Sequence, residues 1–215
     1  MLDLTFDLKY QKRYGLVCGV DEAGRGPLAG PVVAGACILP EDAVIEGLDD
    51  SKKLTEKKRE ALYDVITKTA LFWGVGLADE GEIDRINILE ASLLAMRRAV
   101  AATGADPAFL LIDGNQKKGF DVPAEAVVKG DGKSQSIAAA SVLAKVTRDR
   151  IMKKLDAEYP AYGFARHMGY PTPEHKLAVF VNGPSPVHRR SFLSFLERDR
   201  EKLEEAARAA GVSSK

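Results

Sequence analysis

The sequence predicts an α/β fold: a mixed β-sheet flanked by helices, with a C-terminal helical region. Three observations lead there. Short apolar runs rich in β-branched and aromatic residues recur near 15–20, 31–39, 71–78, 108–112 and 126–128. Segments with helical spacing of apolar residues separate or follow them, the longest from about Ser134 to Ala157. The first two runs are joined by a glycine-rich turn alone and read as a hairpin, which a purely parallel nucleotide-binding sheet would not contain. At 215 residues the chain suits one domain with a full core. We place an α/β core at about 15–158 and a C-terminal loop and helical region at about 159–209.

Residues 1–14 are polar and mixed and read as a short lead-in. After the hairpin and an acidic loop from Pro40 to Asp50, Thr55 is a natural N-cap for a helix over 56–69, with Leu62, Val65, Ile66 and Thr69 in helical register. Following the third strand, Asn87 can cap a helix, with Glu90 three residues on as a capping-box partner and Leu89, Leu93, Met96 and Val100 on one face. The fourth strand stops at Asp113-Gly114-Asn115 and the short fifth at Lys129-Gly130-Asp131-Gly132. The long helix opens with the small residues of Ser136-Ile137-Ala138-Ala139-Ala140-Ser141, which permit close approach to the sheet. Two further helices are expected near 174–181 and 190–209.

Formal net charge is zero, so overall charge says nothing for nucleic-acid binding, but its distribution is uneven. Residues 145–200 hold eleven Lys/Arg against six Asp/Glu, and residues 41–90 hold seven against thirteen. Two solvated surfaces of opposite sign explain this, and one basic face is compatible with it. Cys18 and Cys37 sit in apolar runs and read as small buried hydrophobes. The N-terminus lacks the basic start and apolar core of a signal peptide, and no apolar run reaches membrane-spanning length, so cytoplasmic residence is expected.

Chemistry concentrates in Gly15-Leu16-Val17-Cys18-Gly19-Val20-Asp21-Glu22-Ala23-Gly24-Arg25-Gly26-Pro27-Leu28-Ala29-Gly30. Its glycines are spaced G-x-G-x-x-x-G and a β-rich segment follows, so a dinucleotide fingerprint, which needs G-x-G-x-x-G before a helix, is rejected. Two adjacent carboxylates at a strand end repel each other unless a cation neutralises them. Asp113 and Asp131 also follow strands, each beside glycine. Alone, either is an ordinary turn former. If the strand ends converge, four carboxylates share one pocket suited to Mg²⁺, an oxygen-ligand ion that also binds substrate phosphates.

The run Val20 to Ala34, V-D-E-A-G-R-G-P-L-A-G-P-V-V-A, resembles ribonuclease HII, the bacterial type 2 ribonuclease H. Further matches follow in order: D-S-K-K-L, I-D-G-N, K-G-D before S-I-A-A-A-S-V-L-A-K-V-T-R-D, G-Y-P, and H-R-R-S-F, spanning roughly residues 15–195. Leu193-Ser194-Phe195 departs slightly, since a proline often follows that last motif in relatives. The resemblance implies a ribonuclease H-like fold and a monomeric endonuclease acting on nucleic acid. Its substrates would be RNA in RNA–DNA hybrids and ribonucleotides in duplex DNA, the latter cut on their 5′ side to leave 3′-hydroxyl and 5′-phosphate ends. It implies Asp21, Glu22, Asp113 and Asp131 as catalytic, metal-holding residues for two Mg²⁺ or Mn²⁺ ions, about 4 Å apart in such sites.

By the same resemblance, Gly24, Arg25 and Gly26 contact the ribonucleotide, Tyr170 stacks on the following deoxyribose, and Lys52 and Lys53 contact phosphate. Tyr162 is assigned to packing. Lys145 on the long helix pairs with Asp149 or contacts substrate. The roles of Arg148 and of His188-Arg189-Arg190 stay open between basic contact and packing. His167, His175 and His188 lack metal-ligand spacing and read as surface or hydrogen-bonding residues. A DNA-directed nuclease of the same fold and a non-catalytic binding module are the alternatives. The four intact acids weigh against the second.

Overall fold

A computed structural model describes residues 2, 4–49, 51 and 54–212. Lys52 and Lys53, expected at phosphate, lie outside them. Strands β1 (Val17–Ala23) and β2 (Val32–Ile38) form the expected antiparallel hairpin, and β3 (Phe72–Ala78) pairs antiparallel with β2. Strands β4 (Phe109–Asp113) and β5 (Ala124–Val127) run parallel to β1 and to each other. The sheet is mixed, with order β3-β2-β1-β4-β5.

Residues 1–14 are not merely a lead-in. Helix α1 (Leu4–Tyr14) places Phe6, Tyr10 and Tyr14 one turn apart, and Tyr10 and Tyr14 stack on Phe109 with ring centroids 5.5 and 4.2 Å away. Its Asp7 Oδ2 accepts the Ser136 N–H at 2.7 Å. The i, i+4 aromatic spacing was the available signal, masked by the polar residues between.

Helix α2 (Glu56–Thr69) starts where Thr55 caps it. Helix α3 (Glu80–Ala102) begins earlier than expected, at a capping box of Asp79 and Glu82. Asn87 interrupts α3 with φ 66° and caps its second half by accepting the Leu89 and Glu90 amides. Helix α4 (Gln135–Glu158) is capped by Ser134, whose Oγ accepts the Ile137 N–H. Because side chains alternate along a strand, even-numbered residues of β1 and β2 (Cys18, Val20, Val32, Ala34, Ala36, Ile38) pack toward α3. Gly19 and Gly35 face α4, where an added methyl would strike the backbone of Ser136 and the carbonyl of Ala140. The helix therefore touches the sheet backbone to backbone. Cys18 and Cys37 are buried, free thiols.

The uneven charge is partly spent inside the molecule. Helix α2 lies along α4 with charges paired in both directions, Glu60–Arg150 and Glu56–Lys153 each at 2.5 Å and Arg59–Asp149 at 3.5 Å. Lys145 pairs with Asp149 at 2.6 Å, the intrahelical alternative.

Beyond α4 come α5 (Phe164–His167), α6 (Pro173–Asn182), α7 (Phe195–Arg198) and α8 (Arg200–Ala209). The single helix expected over 190–209 is broken into a 3₁₀ turn at Arg190–Phe192, α7 and α8. Asp84 of α3 accepts the Arg190 and Ser191 amides at 2.8 and 3.0 Å, fixing that turn against the core. Leu193 and Phe195 are then buried with Leu28, Met152 and Phe164. A single straight helix would not follow that path.

Overpacking the α4–sheet contact should cost stability. Gly35→Ala is expected to lose about 1–3 kcal/mol, a Tm drop of roughly 2–12 °C in a chain of this size. Gly81→Ala, whose methyl would only touch Asp79, should show no such drop in the same thermal melts.

Candidate active site

The two leading acids arise from strand continuation. β1 runs through Ala23, three residues past the predicted end, but its pairing with β4 stops at Val20–Ile112. Asp21 and Glu22 therefore sit on an overhang beside the C-terminal end of β4. One step beyond the last pair, Asp113 stands next to Asp21. Alternation sends Asp21 toward α4 and Glu22 toward α3. Asp21 is buried and Glu22 half-buried.

Asp131 lies in a 3₁₀ turn, Gly130–Gly132, between β5 and α4, and is buried. The turn is tied to the neighbouring acid because the Gly130 N–H donates to Asp113 Oδ1 at 2.6 Å. Gly130 leaves room for this contact, since a Cβ there would crowd Asp113 Oδ1 and Ile137. The structure thus brings Asp21, Glu22 and Asp113 together and ties the Asp131 turn to Asp113 through Gly130.

Charge repulsion in this group is plain. Burial pushes the Asp21 carboxyl well above its ordinary range, and Glu22 and Asp113 add to the shift. Ser141 of α4 and the Glu22 N–H donate to Asp21 and oppose it, the latter at 2.7 Å. Ser141 is in turn hydrogen-bonded to the buried Ser51 at 2.8 Å. Burial also raises Glu22, against the pull of the Arg25 guanidinium 3.3 Å away. Among the described residues no three acids, histidines or cysteines already stand in metal-holding geometry. The donors nevertheless fit a hard divalent cation, being carboxylates that destabilise one another until a positive charge arrives. Glu22, Arg25, Asp113, Gly114 and Asn115 line a cleft of about 30 Å³ against Leu89 and Ser92 of α3. It is sized for an ion and water.

The loop after β1 is held from beneath by two buried arginines, whose role the sequence left open. Arg148 of α4 donates to the carbonyls of Ala29, Pro31 and Met168 at 3.0–3.1 Å. Arg189 donates to those of Gly24, Arg25 and Gly30 at 2.6–2.9 Å. Gly24 has φ +95°, and a Cβ there would strike the Arg148 guanidinium, so only glycine fits. Arg25 and Gly26 are exposed, and exposed Tyr170 closes the same wall. A methyl on Gly26 would lie 3.7 Å from the Tyr170 ring. Tyr162 is buried, as assigned.

The three histidines are buried beneath Tyr170 rather than on the surface. The Ser185 N–H donates to His188 Nδ1 at 3.0 Å, so His188 carries its proton on Nε2 and donates to His175 Nε2 at 3.0 Å. His175 then donates from Nδ1 to the Tyr170 carbonyl at 2.9 Å. His167 accepts the Gly169 N–H at Nδ1 and donates from Nε2 to the Tyr162 carbonyl at 2.9 Å. The rings of His175 and His188 are neutral in this arrangement. Burial pushes His175 down to about 4 and His188 down to about 3.

Similarity to known proteins agrees with this arrangement. Residues 18–195 match the family model described as Ribonuclease HII. The chain is 62% identical over 178 residues to ribonuclease HII of Dechloromonas aromatica, covering 83% of this chain and 91% of that protein. It is 56% identical over 183 residues to ribonuclease HII of Acetivibrio thermocellus, covering 85% and 72%. Among solved structures, ribonuclease H2 from Pyrococcus horikoshii matches with a TM-score of 0.66 at 30% identity, over 90% of this chain and 99% of that one. The fold is ribonuclease H-like.

Two measurements check the electrostatics. Asp21→Asn should raise the Tm in EDTA, because the amide removes a charge that burial and two neighbouring acids disfavour. An unchanged or lower Tm would contradict the repulsion. In that background, acid should destabilise the protein through His175 and His188. Their folded pKa values lie below the unfolded value of about 6.5, so their stabilisation is complete above pH 6.5 and is lost as pH falls toward 4 and 3. The expected loss is about 1.4 kcal/mol per pH unit for each of His175 and His188. Urea unfolding at pH 7, 6 and 5 reads the slope, and a flat profile would refute it.

Proposed function

We infer the reaction from a premise the family match establishes: the chain belongs to the ribonuclease HII family, endonucleases that degrade the RNA of RNA–DNA hybrids. On this reading it hydrolyses the RNA strand of hybrids and also cuts 5′ of a ribonucleotide embedded in duplex DNA. It leaves 3′-hydroxyl and 5′-phosphate ends, acting as a monomer in the cytoplasm. The observation that carries it is the convergence of Asp21, Glu22 and Asp113 where the pairing of the central strands β1 and β4 ends, beside an exposed Gly-Arg-Gly loop and Tyr170.

Asp21, Glu22, Asp113 and Asp131 would hold Mg²⁺ or Mn²⁺ ions. When bound, such ions supply an activated water and neutralise charge on the departing 3′-oxygen. The chain's own residues do the rest. Ser141 and the Glu22 amide hold Asp21 in one orientation while it remains a carboxylate. Arg25 steadies Glu22 and leaves most of its guanidinium in the groove, where it can meet a phosphate. The backbone of Gly24-Arg25-Gly26 reaches a 2′-hydroxyl, a donor and acceptor that distinguishes RNA from DNA. The Tyr170 ring offers its face to the next sugar. Lys52 and Lys53 would contact the phosphate backbone. No serine, cysteine or histidine nucleophile is needed. The buried histidines are engaged with Tyr162, Tyr170 and Ser185 instead.

Cleavage of a labelled DNA duplex containing one ribonucleotide tests the reading, with Mg²⁺ or EDTA, beside an all-DNA duplex. Metal-dependent cutting on the 5′ side of the ribonucleotide is expected, with the all-DNA duplex intact. Asp113→Asn should lower the rate by more than ~100-fold, since outer partners of metal ligands alone account for roughly 10–100-fold. Cutting of the all-DNA duplex would point to a DNA-directed nuclease.

A further inference from the structure

We propose that Arg189 is a positioning residue for ribonucleotide recognition: by gripping the carbonyls of Gly24 and Arg25 it turns the Arg25 and Gly26 amides outward as a pair of donors to the substrate. The proposal rests on the ribonuclease reading above and adds a residue to it.

The geometry follows from the planar peptide. In a trans peptide the C=O of one residue and the N–H of the next point in opposite directions, and no cis bond occurs among the described residues. Arg189 Nη2 donates to the Gly24 carbonyl at 2.6 Å, which aims the Arg25 N–H away from Arg189. Its Nη1 donates to the Arg25 carbonyl at 2.9 Å, which aims the Gly26 N–H away likewise. Arg189 is fully buried, whereas Arg25 and Gly26 are exposed, so away from Arg189 means toward the groove. Two successive amides aimed one way form a concave donor site for an oxygen ligand. The side of Gly26 that would bear a methyl faces the Tyr170 ring, so the donors and the stacking face border one position.

Arginine chemistry suits this task. The planar fork reaches two consecutive carbonyls while Nε and Nη2 also hold the Gly30 carbonyl at 2.9 and 2.7 Å, which closes the loop on itself. The Arg189 N–H fixes the Leu28 carbonyl at 2.8 Å, so backbone and side chain act on the same loop. The guanidinium is spent on carbonyls, and polarising a carbonyl strengthens the N–H of the same peptide as a donor. Half-buried Glu80 is the acid whose charge reaches Arg189 most strongly, and buried Arg148 opposes it. The pocket behind the loop therefore stays positive. A lysine would keep the charge but could not span the carbonyls.

The test separates orientation from folding and from charge. Arg189→Lys and Arg189→Gln are compared with wild type and with Arg190→Gln, an exposed neighbour with no contact to the loop carbonyls. Two quantities are read: kcat/KM on the single-ribonucleotide duplex, and affinity for the all-DNA duplex, which has no 2′-hydroxyl. Both Arg189 variants should lose roughly 10–100-fold in kcat/KM, the value of one or two hydrogen bonds. Their affinity for all-DNA duplex should stay near wild type, and Arg190→Gln should match wild type in both. Wild-type kcat/KM in Arg189→Lys, or equal losses on the two duplexes, would overturn the proposal.

If the variants fail to fold, amide NMR of the wild-type chain decides. The Arg25 and Gly26 N–H resonances should shift with the ribonucleotide duplex and not with all-DNA duplex, and equal responses would overturn it. Failure of wild type to cut the ribonucleotide duplex would instead sink the functional reading itself.

Discussion

Helix α4 can lie directly on β1 and β2 only because Gly19 and Gly35 present no side chain to it. Most of the site hangs on that contact. It brings Ser141 to Asp21 and carries Arg148 under the Gly24–Pro31 loop. It also fixes the start of the helix so that the preceding turn, which carries Asp131, sets the Gly130 N–H on Asp113. A helix standing an ordinary side chain's distance off the sheet would reach none of these partners. The small-residue run Ser136–Ser141 and the two strand glycines are two halves of one device.

That close approach holds carboxylates where they are least comfortable. Asp21 is buried beside two other acids, and the donors around it only partly offset the cost. The fold tolerates this because both large faces of the sheet are well covered by α3 and by α4 with α2. Local destabilisation at a functional site, supported by a rigid core, is the common bargain of active sites. It also gives the acids a use for positive charge, which a neutral or dispersed arrangement would lack.

How much of this was legible follows from the range of each interaction. Hairpin, sheet strands, Thr55 cap and long helix were readable because their signals are local: alternation, apolar spacing and capping residues. The approach of Asp21, Glu22 and Asp113 was legible because each acid follows an apolar strand and so falls at its end. Arg148 and Arg189 were not, because arginine in sequence reads as exposed. Only tertiary structure shows that, Met168 aside, their partners are carbonyls 117 to 165 residues away. The hydrogen-bonding role of the histidines was among the readings, but their burial and partners were not legible, being set by how the 162–188 segment folds back on itself. Helix α1 was missed although Phe6, Tyr10 and Tyr14 carried its stripe, and the break after Arg190 depends on Asp84, far away in α3.

The C-terminal region is therefore part of the site and not an appendage to it. Its Arg189 holds the loop that follows the first two acids, and Ala29 bridges to His188 across the same seam. Met168 and Gly169 meet Arg148 and Leu28 there, so Tyr170 is fixed relative to Gly26 by backbone contacts on both sides. The neutral histidine chain anchors the Tyr170 carbonyl from below. The Arg189–Gly24, Ala29–His188 and Leu28–Gly169 links join the C-terminal segment to the loop rather than to the sheet. If the loop and the Tyr170 ring read one hydroxyl as proposed, they need a fixed separation, and that rigidity comes from the region the α/β core does not contain.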